Sequence, residues 1–143
     1  MLVDVLESKN NILKFRQKLM TQPHRFSFYS ADDDSLKFMA VQQQGQIVGV
    51  LAFKDQSDYD PDYMELSYCE VLSSHRGKGI GAALVRELMT MASARSCPIF
   101  VTAYEEDGLH ALKPIIDIES KKLGVHVLEQ GSAYDIANDP SLW

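Results

Sequence analysis

The stretch of this chain best suited to chemistry is Val71-Leu72-Ser73-Ser74-His75-Arg76-Gly77-Lys78-Gly79-Ile80-Gly81-Ala82. Glycine at 77, 79 and 81 removes the Cβ from three alternate positions, so backbone N–H groups can come close to a ligand. A helical apolar pattern begins at Ile80. The same N–H groups therefore fall at a helix start, where donors lack intrahelical partners and the dipole end is positive. These features suit phosphate oxygens, and Arg76 and Lys78 add charge beside them. The plainer reading, a glycine turn with solvated basic ends, leaves the entropic cost of three alternate glycines without a purpose.

Which phosphate ligand fits depends on context. A P-loop requires G-x-x-x-x-G-K-S/T, and the chain contains no such run. Gly77, Gly79 and Ala82 satisfy G-x-G-x-x-A loosely, and Glu105 stands where a ribose-binding acid would. That would make the protein a nicotinamide-type oxidoreductase. Four polar residues, Ser73 to Arg76, separate the strand from the glycines, however, where a dinucleotide turn is tight. A hairpin precedes the motif, and only about half the chain remains for a doubly wound sheet.

The elements that must hold this loop follow from periodicity. Leu2 to Leu6 reads as a short first strand. Ile12, Phe15, Arg16, Leu19 and Met20 recur at three and four residues, which predicts a helix capped by Ser8 or Asn10 and stopped by Pro23. Leu36–Gln42 and Gln46–Lys54 are strands joined by a hairpin at Gly45. Met64–Leu72 is a third strand of the same kind. Ile80, Leu84, Leu88 and Met91 form the stripe of an amphipathic helix, and Ile99–Tyr104 is a buried strand. Glu105 to Gly108 reads as a turn. Leu112, Ile115, Ile116 and Leu123 predict a helix that starts or kinks at Pro114 and ends at Gly124. Val125–Glu129 and Ala133–Ala137 close the chain as a hairpin around Gly131. The expected fold is mixed α/β, with helices on a largely antiparallel sheet.

The length of 143 residues fits one domain, 1–143. With 45% apolar and 24% charged residues, the chain is neither disordered nor fibrous. Fourteen Lys+Arg against 20 Asp+Glu give a net charge of -6, which argues against general nucleic-acid binding and leaves acidic surface for a cationic substrate. Cys69 and Cys97 are too few for a disulfide scaffold or a cysteine zinc site. No 18-residue apolar run exists, so no membrane span is expected. Met1-Leu2-Val3-Asp4-Val5 lacks a signal-peptide pattern, and the expected setting is cytoplasmic.

Arg76-x-x-Gly79-x-Gly81 resembles the acetyl-CoA signature Q/R-x-x-G-x-G/A of the GNAT N-acetyltransferase superfamily, and "SSHRGKGIGAALV" is similar to that family's strand-loop-helix segment. The element order matches across nearly the whole chain, and Ser120–Val125, "SKKLGV", resembles the family's "YEKLGF" helix ending. The resemblance implies the GNAT fold, with a splayed pair formed here by Met64–Leu72 and Ile99–Tyr104. It implies acetyl-CoA as the acyl donor, its pyrophosphate on the backbone N–H groups of Arg76, Gly77, Lys78, Gly79, Ile80, Gly81 and Ala82. Cys69, Val71 and Ser73 would line the pantetheine, and an N–H near Val71 or Leu72 would stabilise the thioester oxygen. A primary amine, small or on a protein, would enter from the other side of the splay. The resemblance also admits a homodimer on the final strands.

Acetyl transfer needs a neutral amine, whereas a lysine-like amine has a pKa of about 10.4. A base must take a proton, directly or through water. Glu65 is the first candidate. By simple alternation it shares a strand face with Cys69 and Val71, and its spacing of eleven residues before Arg76 resembles the base of the histone-acetylating branch. Glu70 is the alternative, and alternation puts it on the opposite face. The family's tyrosine acid position holds Ser120 here, so Tyr104, with Tyr134 and Tyr68 behind it, is the candidate acid, or else water. A non-catalytic acyl-CoA-binding module is the rival reading that this departure supports. Cys69 as a nucleophile is a weaker reading than Cys69 as a buried strand residue. His24, His75, His110 and His126 show no metal-ligand spacing. His75 stands beside the phosphate loop as a further contact or as a solvated loop residue. The acidic runs Asp32–Asp34, Asp55–Asp62 and Glu105–Asp107 are solvated loops or the rim of a site for a cationic acceptor.

Overall fold

In a computed structural model, residues 1–23, 26, 35–55, 62–101 and 106–129 are described, with backbone alone for 106–110. The elements in chain order are β1 (Asp4–Leu6), α1 (Lys9–Thr21), β2 (Leu36–Gln43), β3 (Gln46–Asp55), β4 (Met64–Val71), a 3-10 turn (Ser73–His75), α2 (Ile80–Arg95), β5 (Ile99–Val101), α3 (Glu106–Leu123) and β6 (Val127–Glu129). The six strands lie side by side in sequence order. β1 to β4 pair antiparallel, whereas β4–β5 and β5–β6 pair parallel. Parallel neighbours need a crossover, and α2 and α3 are those crossovers. Together they cover one face of the sheet, and α1 covers the other.

Local chemistry explains the boundaries. Ser8 caps α1 by accepting the Asn11 N–H on its Oγ at 3.2 Å. Phe15 is the buried anchor of α1 and meets Phe38 with ring centroids 5.0 Å apart; burying such a side chain is worth about 1.5–3 kcal/mol. Gln44 and Gly45 both have positive φ, the pattern of a two-residue type I′ hairpin turn. β2 and β3 are buried on both faces over most of their length, because α1 packs on one side and α2 on the other. The side chain of Gln22 then behaves like an extra strand residue. Its amide donates to the Ile47 carbonyl at 3.0 Å and accepts the Ile47 N–H at 3.1 Å, beside a bulge in the β2–β3 ladder.

Three expectations need correction. Glu106, Asp107 and Gly108 open α3 instead of forming a turn, so of the two readings of Pro114 the helix start is excluded and the residue lies inside the helix. Its first turns carry charged and glycine residues without an apolar stripe, which hid them from periodicity. β4 ends at Val71, and Ser73 belongs to the 3-10 turn. The first strand starts at Asp4, because only Asp4–Leu6 finds partners on β2. Ala133–Ala137, Gly131 and the later part of Ile99–Tyr104 lie outside the described residues. Among the described residues no helix is long and apolar enough to cross a membrane.

Candidate active site

The glycine loop leads from the end of β4 into α2. Gly77 and Gly79 have φ of +76° and +82°, conformations that strain any side-chain-bearing residue. Nothing lies within 4 Å of where a Cβ would stand on either. Gly79 is the N-cap of α2 and supplies no side-chain bond to the helix's first N–H groups. The helix therefore begins with donors for an outside acceptor and with its positive dipole end exposed. Arg76 and Lys78 are exposed, and among the described residues neither has a carboxylate partner. Phosphate oxygens match this donor set.

The loop stands where it does because of Gly49, a residue that no local pattern singles out. A Cβ there would lie 2.5 Å from Ile80 Cγ2 and 3.2 Å from Leu84 Cδ1. Its absence lets the first turn of α2 settle directly on β3. Ile80, Leu84, Val85, Leu88, Met89 and Ala92 then anchor the helix in the core. On the outer side, Arg86 clamps α2 to α3 with two bonds of 3.1 Å to the carboxylate of buried Glu119. The hydrogen bonds from Arg86 hold that carboxyl below its ordinary pKa, against the opposing effect of burial.

β4 carries a bulge that overturns simple alternation. Ala52 faces Tyr68 and Phe53 faces Leu66, so Ser67 is the extra residue. Cross-strand partners share a face. Glu65 (opposite Lys54), Tyr68 (opposite Ala52) and Glu70 (opposite Val50) therefore all lie on the α1 face. Cys69 (opposite Leu51) and Val71 (opposite Gly49) lie on the α2 face. Glu65 thus does not share a face with Cys69 and Val71, and Glu70 is not opposite to it. Glu65 is half-buried, with Lys54 Nζ at 3.9 Å. Tyr68 Oη donates to the Glu70 carboxylate.

The edge of β4 is also defined. Leu72 N–H donates to the Val48 carbonyl at 2.9 Å, so this amide is committed to β3 and does not serve an outside ligand. Amides alternate edges along a strand, which turns the N–H groups of Val71 and Cys69 toward the β5 side. There the β4–β5 pairing runs from Met64↔Ile99 to Leu66↔Val101 among the described residues.

The other candidates separate clearly. Burial pushes the Cys69 thiol up to about 12, which removes the thiolate a nucleophile needs. His75 Nδ1 lies 2.8 Å from Ser74 Oγ, next to the loop. Ser120 is buried and donates its hydroxyl to the Asp117 carbonyl at 3.2 Å. Tyr104, Tyr134, His24, Asp32–Asp34 and Glu105 lie outside the described residues, as does the side chain of His110. Asp55 and Asp62 pair with Arg95 at 2.8 and 3.8 Å, and residues 56–61 between them lie outside the described residues. A groove of about 460 Å³ lined by Ser93, Ser96, Cys97 and His126 lies at the far end of α2 from the glycines, and the chemistry has no claim on it.

Comparison with known proteins bears on this geometry. The model of the acetyltransferase (GNAT) family matches residues 6–113. No curated protein sequence matches the chain. Among solved structures, GCN5 of Tetrahymena is similar, with a TM-score of 0.58 and 16% identity over 80% of this chain and 78% of that one. Aminoglycoside 6'-N-acetyltransferase AAC(6')-IG of Acinetobacter haemolyticus has a TM-score of 0.53 and 18% identity over 92% and 95% of the two chains. A ribosomal-protein-alanine N-acetyltransferase of Brucella melitensis is 25% identical with a TM-score of 0.48, over 58% of this chain and 61% of its own length, less than two thirds of that protein.

Proposed function

Because the chain belongs to the GNAT acetyltransferase family, we propose that it is an N-acetyltransferase that moves the acetyl group of acetyl-CoA to a primary amine by direct attack. The observation that carries this reading is the uncapped start of α2 in a left-handed glycine loop, flanked by the exposed cations Arg76 and Lys78. A diphosphate supplies the acceptors that these donors lack. Acetyl-CoA, when bound, supplies an activated acyl carbon.

The chain's own residues provide the rest. Glu65, on the α1 face, takes a proton from the incoming ammonium, directly or through water. The neutral amine forms the C–N bond as the C–S bond breaks; the sulfur leaves with its electron pair and takes up, through water, the proton that the new amide nitrogen gives up. An outward-facing β4 amide donates to the carbonyl oxygen while charge builds on it. At about 3.3 Å per residue, Val71 is roughly 20 Å from Glu65 along the strand and Cys69 about 13 Å. The Cys69 N–H is therefore the better match to a base at Glu65. The bulge at Ser67 serves this division: cofactor edge and α2 face on one side, base on the other. Both cysteines are unbridged, and a reducing, cytoplasmic setting belongs to the same proposal.

The test is release of free coenzyme A thiol across a panel of polyamines, amino acids, aminoglycosides and lysine peptides, with coenzyme A binding measured by calorimetry. Saturable binding and turnover with at least one amine are expected. Absence of coenzyme A binding at millimolar concentration would overturn the reading.

A further inference from the structure

We infer that Arg76 is a positioning residue that acts through its Nε, separately from its charge. The inference rests on the acetyl-CoA reading above and adds to it how the strand end is held. Arg76 Nε donates to the Val71 carbonyl at 3.0 Å. The N–H of the same peptide unit, that of Leu72, donates to the Val48 carbonyl at 2.9 Å. A trans peptide points its C=O and N–H in opposite directions. The Val71–Leu72 unit is thus pinned from both edges of β4, by β3 on one side and by the loop's own arginine on the other. The His75 N–H closes back on the Leu72 carbonyl at 2.8 Å and tightens the turn that brings Arg76 round.

This matters because the pinned unit joins the cofactor edge of β4 to the phosphate loop. Rotation of that peptide would change the angle at which Val71 presents its backbone and would move the loop relative to Cys69. A carbonyl oxygen has two lone pairs, so the bond from Nε leaves room for a ligand amide on the same oxygen. The terminal guanidinium nitrogens stay available for an anion. One side chain therefore ties the anchoring of the diphosphate to the orientation of the strand beside the reacting carbonyl. A misplaced reacting group costs turnover even where binding survives.

Charge and latch are separable by substitution. The amide nitrogen of glutamine stands as many bonds from Cα as Arg76 Nε does. Arg76→Gln thus keeps a donor at the Val71 carbonyl and loses the charge, whereas Arg76→Lys keeps the charge and places a methylene at the latch position. The experiment compares kcat, the KM for acetyl-CoA and the calorimetric Kd for coenzyme A in wild type, Arg76→Gln, Arg76→Lys and Arg76→Ala, with thermal melting as a folding control. For Arg76→Gln the expected result is a raised KM and Kd with kcat within about twofold. For Arg76→Lys it is a near-normal Kd with kcat reduced by roughly five- to tenfold, the loss expected for one ordinary solvent-exposed hydrogen bond. Arg76→Ala should show both defects. If Arg76→Lys retains full kcat, or Arg76→Gln loses it to the level of Arg76→Ala, the latch is overturned while the acetyl-CoA reading stands. If wild type itself neither binds coenzyme A nor turns over, the functional reading fails first, and the latch with it.

Discussion

The two ends of α2 are built on opposite plans. At its C-terminal end the polar groups are spent within the protein. Arg95 holds Asp55 and Asp62, Lys37 joins Asp55 to Glu7, and the cap N–H of Ser96 closes on Ala92 and Ser93. At its N-terminal end the helix opens without a side-chain cap, and the two flanking cations find no carboxylate among the described residues. Both ends have charge, so charge does not distinguish a site. What distinguishes it is capacity left over after internal bonding is complete. The closed end keeps a groove, yet its neighbouring ions are already neutralised; the open end has donors to spare.

That contrast can be broken at several points. The largest expected effect is at Glu65. Glu65→Gln should lower kcat by roughly 10²–10⁴-fold, the range for loss of a positioned base. Asp55→Asn, one rung away on the β3–β4 ladder, should leave kcat within about twofold. Equal losses in the two variants would erase the distinction. Next is Gly79→Asp, which forces a left-handed conformation on a side-chain residue and sets a carboxylate at the helix start. It should reduce kcat/KM for acetyl-CoA by on the order of 100-fold with little change in far-ultraviolet circular dichroism.

Stability effects are smaller and belong to the closed parts. Gln22→Ala leaves the Ile47 N–H and carbonyl without their buried partner and should cost about 1–3 kcal/mol in urea unfolding. Asp55→Asn should cost about 1 kcal/mol or less at neutral pH, since its ion pairs are partly solvated. The hydrogen bond from Arg95 holds the Asp55 carboxyl below its ordinary value of 3.8. A group lowered in the folded state stabilises above its unfolded pKa, and that contribution is lost as pH falls through the folded value. The difference between wild type and Asp55→Asn should therefore be full at pH 6 and shrink below about pH 4. A gap that widened in acid would contradict this assignment.

Much of this was legible in the residues. The glycine spacing marked the loop, the stripe from Ile80 marked α2, and Gly45 marked the hairpin, because each depends on local backbone chemistry. The parity of Glu65 was not legible. A bulge at Ser67 leaves no compositional trace, and one extra residue exchanges the faces of everything before it. Gly49 was hidden for a related reason, since its role is a close approach from a helix some thirty positions away. The start of α3 was obscured by charge and glycine in place of an apolar pattern. Arg86 and Glu119 came to light only once α2 and α3 stood side by side.

The change from antiparallel to parallel pairing at β4 also has a consequence for how the chain assembles. β2, β3 and their two-residue turn meet through contacts close in sequence, whereas β4 meets β5 only after the whole of α2 has been threaded between them. Short loops close sooner than long ones, so the hairpin should mature first and the crossover last. Pulse-labelled amide exchange during refolding should protect Val50 and Leu51 before Ile99 and Val101. The cleft beside β4 would then be the final region to take shape, and a newly made chain would form its hairpin before it could bind anything.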